Sequence, residues 1–310
     1  MVVRKNRKIG GDHPLWSSEP AFIGVQLLVG IARGMGYFFA ASGLTLAYGV
    51  LRIINFAHGT FFMVGAYLAY SVTVTFGPNL GYWLAMILVP IGVAGLGIVI
   101  EVVFIRRFYL REHAYQILLT FTFILIIGEL TRMIWGADIK GMFMPSSLAG
   151  SVLIGNNSFP IYYLWMIGLG GLVAVVIWFL LYKTEWGGVT RAAAADAETA
   201  QAMGVNVRKV FTLVFAFSSF LAGLGGVVMA PVFAIAPGLD MDIILLCFII
   251  VIVGGLGSIA GALASALIIG VVYALGVLIV PELAMAFLFL VMIAVLTTRP
   301  HGLLGRKISD

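Results

Sequence analysis

The chain offers one apolar run of about twenty residues after another, and that pattern leaves it few folds. A hydrocarbon layer roughly 30 Å thick needs about 20 apolar residues per helical crossing. Helices suit it because every backbone N–H and C=O at that depth must be satisfied without water. Runs bounded by charges, Pro or polar clusters lie near 21–48, 56–76, 82–105, 114–136, 160–182 and 210–233. From Val210 to Thr298 the only charges are Asp240, Asp242 and Glu282, and Gly254, Gly255, Gly257 and Gly261 interrupt the run, so the last third divides near 243–259, 261–280 and 283–298. The expectation is an all-α, polytopic membrane protein of about 8–9 transmembrane helices, with broken or re-entrant Gly-rich segments.

Composition excludes the soluble classes: 62% of residues are hydrophobic and 10% charged, with a mean hydropathy of +1.12. The formal charge of +5 does not point to nucleic acid, because the basic residues flank apolar runs in short clusters, as membrane orientation requires. Cys247, the only cysteine, lies inside an apolar run and reads as a packing residue. Arg4, Lys5, Arg7 and Lys8 mark a polar, basic extension over 1–20, but the run after it is too long for a cleaved signal peptide. A single transmembrane domain is expected over 21–299, with a tail over 300–310.

Lys and Arg set the orientation. One set of connections holds ten: Arg106, Arg107, Arg111, Lys183, Arg191, Arg208, Lys209, Arg299, Arg306 and Lys307. The opposite set holds one, Lys140. The extended polar segment 183–209 is therefore expected in the cytoplasm. Counting back from it puts the basic N-terminus outside, against the same rule. Either the first run doubles back near Gly34 and Gly36, or the stretch from Arg52 to His58 is a break that completes no crossing.

Within 183–209, Thr190 is placed to cap a helix over Arg191–Met203 that carries Asp196 and Glu198 in its first half and ends at Gly204 in a left-handed turn. Alanines at 192–195, 197, 200 and 202 give that helix little bulk, so a partner can approach its backbone. The segment reads as a docking element, the alternative being a solvated linker. No G-x-x-x-x-G-K-[ST] phosphate loop occurs, so this chain is not expected to hydrolyse ATP itself.

Three motifs in order then carry a resemblance. Arg191-Ala192, Asp196, Ala200 and Met203-Gly204-Val205-Asn206 look like the cytoplasmic coupling loop of permease subunits of branched-chain amino acid (LIV-type) ABC importers. The run from Gly43 to Gly59, GLTLAYGVLRIINFAHG, followed by Gly65-Ala66-Tyr67, resembles the N-terminal signature of the family's smaller, H-type permease. GGLGSIAG at 254–261 and RPHGL at 299–303 resemble its C-terminal half. Two departures stand out: the long basic N-terminus, and Ala260 where relatives commonly carry Pro. The resemblance implies a pore built with a second, related permease subunit in a bacterial or archaeal plasma membrane. Two cytosolic ATP-binding subunits would dock on the coupling loops, an extracytoplasmic protein would deliver branched-chain or similar amino acids, and this chain would hold no cofactor, since ATP is bound by its partners. Urea, short amides or aromatic acids are the alternative cargo, and an ion-coupled carrier is the rival class.

The remaining candidates have a plain and a sharp reading. Arg52, Asn55, His58 and Gly59 either brace a broken helix or line the translocation path. Gly254, Gly255, Gly257 and Gly261 form a turn that can also move. Glu101 is expected to pair with Arg106 or Arg107, and Glu129 with Arg132. Gly92, Gly95, Gly97, Gly168, Gly170, Gly171, Gly223, Gly225 and Gly226 are expected on helix packing faces.

Overall fold

The computed structural model describes residues 20–109, 111–155 and 157–305, so the basic extension and the last five residues lie outside the described residues. Among the described residues, eleven α-helices follow one another: α1 (Pro20–Leu51), α2 (His58–Phe76), α3 (Pro78–Val103), α4 (His113–Trp135), α5 (Ile161–Lys183), α6 (Glu185–Ala195), α7 (Ala197–Ala202), α8 (Val207–Met229), α9 (Leu239–Gly254), α10 (Ile259–Ile279) and α11 (Ala284–Thr298). Eight are long and apolar enough to cross a membrane: α1 to α5, α8, α10, and α11 together with the turn at Pro281. A small hairpin, Ser151–Ile154 with Asn157–Pro160, sits in the connection before α5.

α8 is the most enclosed span, and α1, α2 and α3 pack around it. Close approach explains the arrangement. A Cβ on Gly226 would stand 2.2 Å from the Phe62 carbonyl, and one on Gly223 2.9 Å from Val93. On the far side of α1, Gly30 and Gly34 lie against Gly270 of α10, where a Cβ on Gly270 would come within 2.5 Å of Gly34 backbone atoms. Small residues matter here because the alternative, lipid, is as apolar as leucine, and only close van der Waals contact distinguishes helix from lipid. Of the glycines expected on packing faces, Gly97, Gly170, Gly223, Gly225 and Gly226 meet neighbours; Gly92, Gly95, Gly168 and Gly171 have open space where a Cβ would go.

The first run does not double back. α1 is one helix of 32 residues, and Gly34 and Gly36 sit in its interior against α10 and Met229. The break falls afterwards: residues 52–57 leave the helical path, with Arg52 in the left-handed region at φ 55°. His58 Nε2 bonds to the carbonyl of Ala40, eleven residues before the end of α1. At 1.5 Å per residue, α2 therefore starts roughly 16 Å short of that end. The connecting stretch climbs back along α1 to this depth.

α9 differs from the span expected over 243–259. It begins after Gly238 (φ 95°) and stops before Gly255 (φ 101°), at 16 residues. That is roughly 24 Å, shorter than a crossing. Its start abuts the start of α2, since a Cβ on Gly59 would stand 2.2 Å from the Asp240 carbonyl. Two helix N-termini thus meet inside the protein, and Asp240, expected in a loop, is 3% exposed in the first turn of α9.

Candidate functional site

The segment 183–209 folds as two short helices. Thr184, and not Thr190, caps the first by accepting from the Gly187 N–H at 3.2 Å, while Thr190 is buried inside α6. The cap is early because α6 turns tightly off α5: a Cβ on Gly187 would stand 2.2 Å from the Leu181 carbonyl. Asp196 breaks the helix the sequence ran straight through. Its Oδ1 accepts from the N–H groups of Glu198 and Thr199, each at 3.0 Å, and so starts α7. A short carboxylate can bond to backbone N–H groups better from outside a helix than within it. The Thr199 hydroxyl and these N–H groups hold the Asp196 carboxyl below the usual carboxylate range, so it is charged at neutral pH. Gly204 ends α7 as expected: at φ 89° its N–H bonds to the Gln201 carbonyl and that of Val205 to the Ala200 carbonyl, both at 3.0 Å, the paired arrangement of a glycine-terminated helix.

Exposure divides the expected docking residues. Arg191, Ala192, Asp196, Met203, Gly204 and Asn206 are exposed, Met203 by 81%, so an apolar side chain stands on the surface of the segment. Ala200 is buried and Val205 half-buried. These two anchor the segment, and a partner cannot touch Ala200 without moving it. Asn206 caps α8 through the Lys209 N–H at 3.0 Å, which ties the segment to the central helix.

The three motif regions converge. Arg52, at the strained end of α1, donates from Nη2 to the Ala194 carbonyl in the last turn of α6 at 3.4 Å, where a cation also complements the helix dipole. Gly257 lies against Gly49 of α1, a Cβ on either falling within 3.2 Å of the other's Cα. Gly255 is covered by residues 301–305, whose Leu303 and Leu304 N–H groups bond to the carbonyls of Val253 and Gly254 at 2.8 and 3.1 Å. The start of the expected tail is therefore fixed. Ser258 caps α10 through the Gly261 N–H at 3.1 Å, and Gly254 and Gly261 touch across the turn. Between these parts lies a pocket of about 410 Å³ lined by Gly49, Arg52, Arg191, Ala194, Gly257 and Ser258 among others. Beside it an apolar groove of about 150 Å³ runs between Leu44 and Tyr48 of α1, Ile54, and Phe248, Val251 and Ile252 of α9.

Asn55, His58 and Gly59 point elsewhere, to the meeting of α2 and α9. His58 is fully buried, bonded to the Ala40 carbonyl at 2.8 Å and 3.5 Å from the Ser218 hydroxyl, which itself donates to the Gly43 carbonyl. It braces α1, α2 and α8. Among the described residues, the Asn55 amide and the Thr60 and Tyr67 hydroxyls, all buried, and one oxygen of Asp240 have no hydrogen-bond partner.

Two ion pairs were expected. Glu101, fully buried, receives Arg106 Nε and Nη2 at 3.1 Å each and the Tyr109 hydroxyl at 2.6 Å, while Arg106 reaches Thr212 of α8 at 2.6 Å. Burial, reinforced by Glu101, keeps the Tyr109 phenol protonated well above its ordinary range. Replacing Arg106 with methionine leaves that carboxylate buried with one donor. The expected cost is about 3 kcal/mol, the lower end of the buried-pair range because Arg106 is partly solvated. Thermal unfolding in detergent should show a lower midpoint for this variant and partial recovery in Glu101→Met/Arg106→Met; an unshifted midpoint would count against the network. Glu129 and Arg132 form no pair: both are exposed at the end of α4.

One charge escaped the sequence reading. Arg33 lies inside the first apolar run, thirteen residues into α1, with its guanidinium 5.6 Å from the centre of the Tyr273 ring. A single Arg between Gly30 and Gly34 was the available signal. On insertion scales such a charge costs about 2.5–3.5 kcal/mol at mid-membrane.

A family model described as "Branched-chain amino acid transport system / permease component" matches residues 26–296. The chain is 27% identical to the high-affinity branched-chain amino acid transport system permease protein LivH of Salmonella typhimurium, over 91% of this chain and 95% of that one. It is 28% identical to BraD of Pseudomonas aeruginosa, a permease protein of the same description, with the same coverage. It is 31% identical to a protein of Methanocaldococcus jannaschii named "Probable branched-chain amino acid transport permease protein LivH", over 86% of this chain and 87% of that one. No solved structure matches. With the motif order, the eight helices long and apolar enough to cross a membrane and the matched length in agreement, the chain belongs to the branched-chain amino acid transport permease family and is a multi-pass membrane protein.

Proposed function

We propose that this chain is a pore-forming subunit of an ATP-driven importer of branched-chain amino acids in a bacterial or archaeal plasma membrane. It carries no ATPase site of its own; two cytosolic ATP-binding subunits drive it through residues 191–206. A second, related permease completes the path, and an extracytoplasmic protein delivers the cargo. The observation that carries this reading is the contact between Arg52 and the Ala194 carbonyl, which joins the docking segment to the broken end of α1 beside the pocket and the Gly-rich turn. Movement of α6 displaces the stretch that links α1 to α2. The apolar groove favours an aliphatic side chain over urea or short amides, whose surfaces are polar.

The test is reconstitution of the chain with its partner permease, ATP-binding subunits and binding protein in vesicles. ATP-dependent accumulation of L-leucine is the expected result. Accumulation of urea or an aromatic acid in its place would move the cargo assignment. Uptake by the chain alone under an ion gradient would remove the importer reading.

A further inference from the structure

Among the described residues, Arg33 stands in the membrane without a counter-charge. Its Cα is thirteen residues from the start of α1, roughly 20 Å along a helix of about 48 Å. The far end of α1 touches the 183–209 segment through Arg52, so the Arg33 end opens toward the opposite face. With a hydrocarbon layer of about 30 Å centred on α1, Arg33 lies roughly 10 Å inside it. Among the described residues no carboxylate lies within 4.0 Å of its guanidinium. Its Nε is buried and has no hydrogen-bond partner, while the side chain as a whole is half-buried.

The surroundings hold the guanidinium in place. It lies over the Tyr273 ring of α10; Tyr37, one turn along α1, packs edge-on against Tyr273 and stacks on Phe233. A cation 5.6 Å from the ring centre is held without spending its N–H groups on the ring, and the fork of N–H groups on a guanidinium matches a carboxylate with two parallel bonds. Arg33, Tyr37, Leu44 and Tyr48, spaced by four, seven and four, share one stripe of α1. Leu44 and Tyr48 line the apolar groove further along that stripe, and the pocket at Arg52 follows. The stripe thus presents an unpaired cation first, then an apolar slot, then the mouth beside the docking segment. An intramembrane ionisable residue is by default a functional one, and one without an acidic partner among the described residues marks a path for something charged.

We propose that Arg33 is a carboxylate-binding station of the translocation path, taking the α-carboxylate of a free amino acid before its side chain enters the Leu44–Phe248 groove. The proposal rests on the importer reading above and names the group on this chain that recognises the cargo's charged end. Arg33 is a binding residue here, and Tyr273 and Tyr37 position it.

The experiment compares wild type, Arg33→Met and Arg33→Lys in the reconstituted complex with binding protein, measuring L-leucine moved per ATP hydrolysed. Arg33→Met should lose at least tenfold, and Arg33→Lys, which keeps the charge without the fork, should fall between. A second readout is thermal stabilisation of the detergent-solubilised complex by L-leucine against L-leucinol, which has the same side chain and ammonium but no carboxylate. Wild type should be stabilised by leucine alone, and Arg33→Met by neither. The proposal is overturned if Arg33→Met transports normally, if it still distinguishes leucine from leucinol, or if wild type does not. It is equally overturned if both variants fail to co-purify with the partner permease, which would make Arg33 an assembly residue facing that subunit's acid. A wild-type complex that moves no leucine at all would instead sink the importer reading.

Discussion

Replacing Gly270 with valine should leave little folded protein in the membrane. The added Cβ would meet the Gly30 carbonyl at 2.3 Å and the Gly34 Cα at 2.5 Å, both backbone atoms that no rotamer change can move. α1 and α10 would have to separate along their whole contact, and Gly30 and Gly34 would lose the approach they make to Val271, Ala266 and Leu267. Overpacking typically costs about 1–3 kcal/mol, and opposition by backbone places this case at about 3 kcal/mol or more. Against a total of roughly 5–15 kcal/mol, that is enough to lower the folded fraction severely at the margin. Size-exclusion profiles and thermal midpoints of Gly270→Val, set beside Gly168→Ala and Gly171→Ala, check it. The two α5 glycines have open space for a Cβ, so their variants should behave as wild type. A monodisperse Gly270→Val with an unshifted midpoint would mean that the α1–α10 seam is looser than its backbone contacts imply.

Gly204→Val is expected to act on transport and not on folding. No atom lies within 4 Å of where its Cβ would go, so the variant fits sterically, but φ is 89°, a conformation a β-branched residue resists. Left-handed backbone costs an L-residue about 1–2 kcal/mol, which shifts a local equilibrium by a factor of about 5–30. The turn after α7 should open, Met203 and Asn206 should leave their positions, and ATP-driven leucine accumulation should fall by roughly that factor with membrane levels near normal. Gly204→Asn, which tolerates the left-handed region, should retain most of the transport. Equal transport by the valine and asparagine variants would remove the turn from the coupling argument. Ala200→Glu is a less clean probe of docking: Ala200 is buried, so a charge there disrupts the segment itself.

Much of this was legible in the chain. The apolar runs gave eight spans to within a few residues, because a crossing helix must satisfy its backbone internally and must match the hydrocarbon thickness; the run read over 243–259 is instead the short helix α9. Gly204 and the Gly254–Gly261 turn were readable because left-handed positions and close backbone contacts favour glycine over other residues. Glu101 and Arg106, five apart, announced their own pairing. The misreadings share a cause. Thr190 gave way to Thr184 and the helix through Asp196 became two, because the competition between capping donors is settled by how tightly α6 folds back on α5, a contact with no local signature. Glu129 and Arg132 have the spacing of a pair and no burial to draw them together.

By itself the sequence determined the class of the protein, the rough limits of its crossings and the family, since each depends on composition or on residues adjacent along the chain. Only the tertiary structure decided that α2 and α9 begin inside the protein with their N-termini abutting. It alone joined Arg52 to α6, Gly257 to Gly49 and residues 301–305 to the Gly-rich turn. It also left Arg33 without an acid among the described residues. Those facts are matters of distance between segments up to 208 residues apart, Gly49 and Gly257 being the example. In a bilayer such distances follow from which helix backbones can approach each other, and a hydropathy pattern carries no information about that choice.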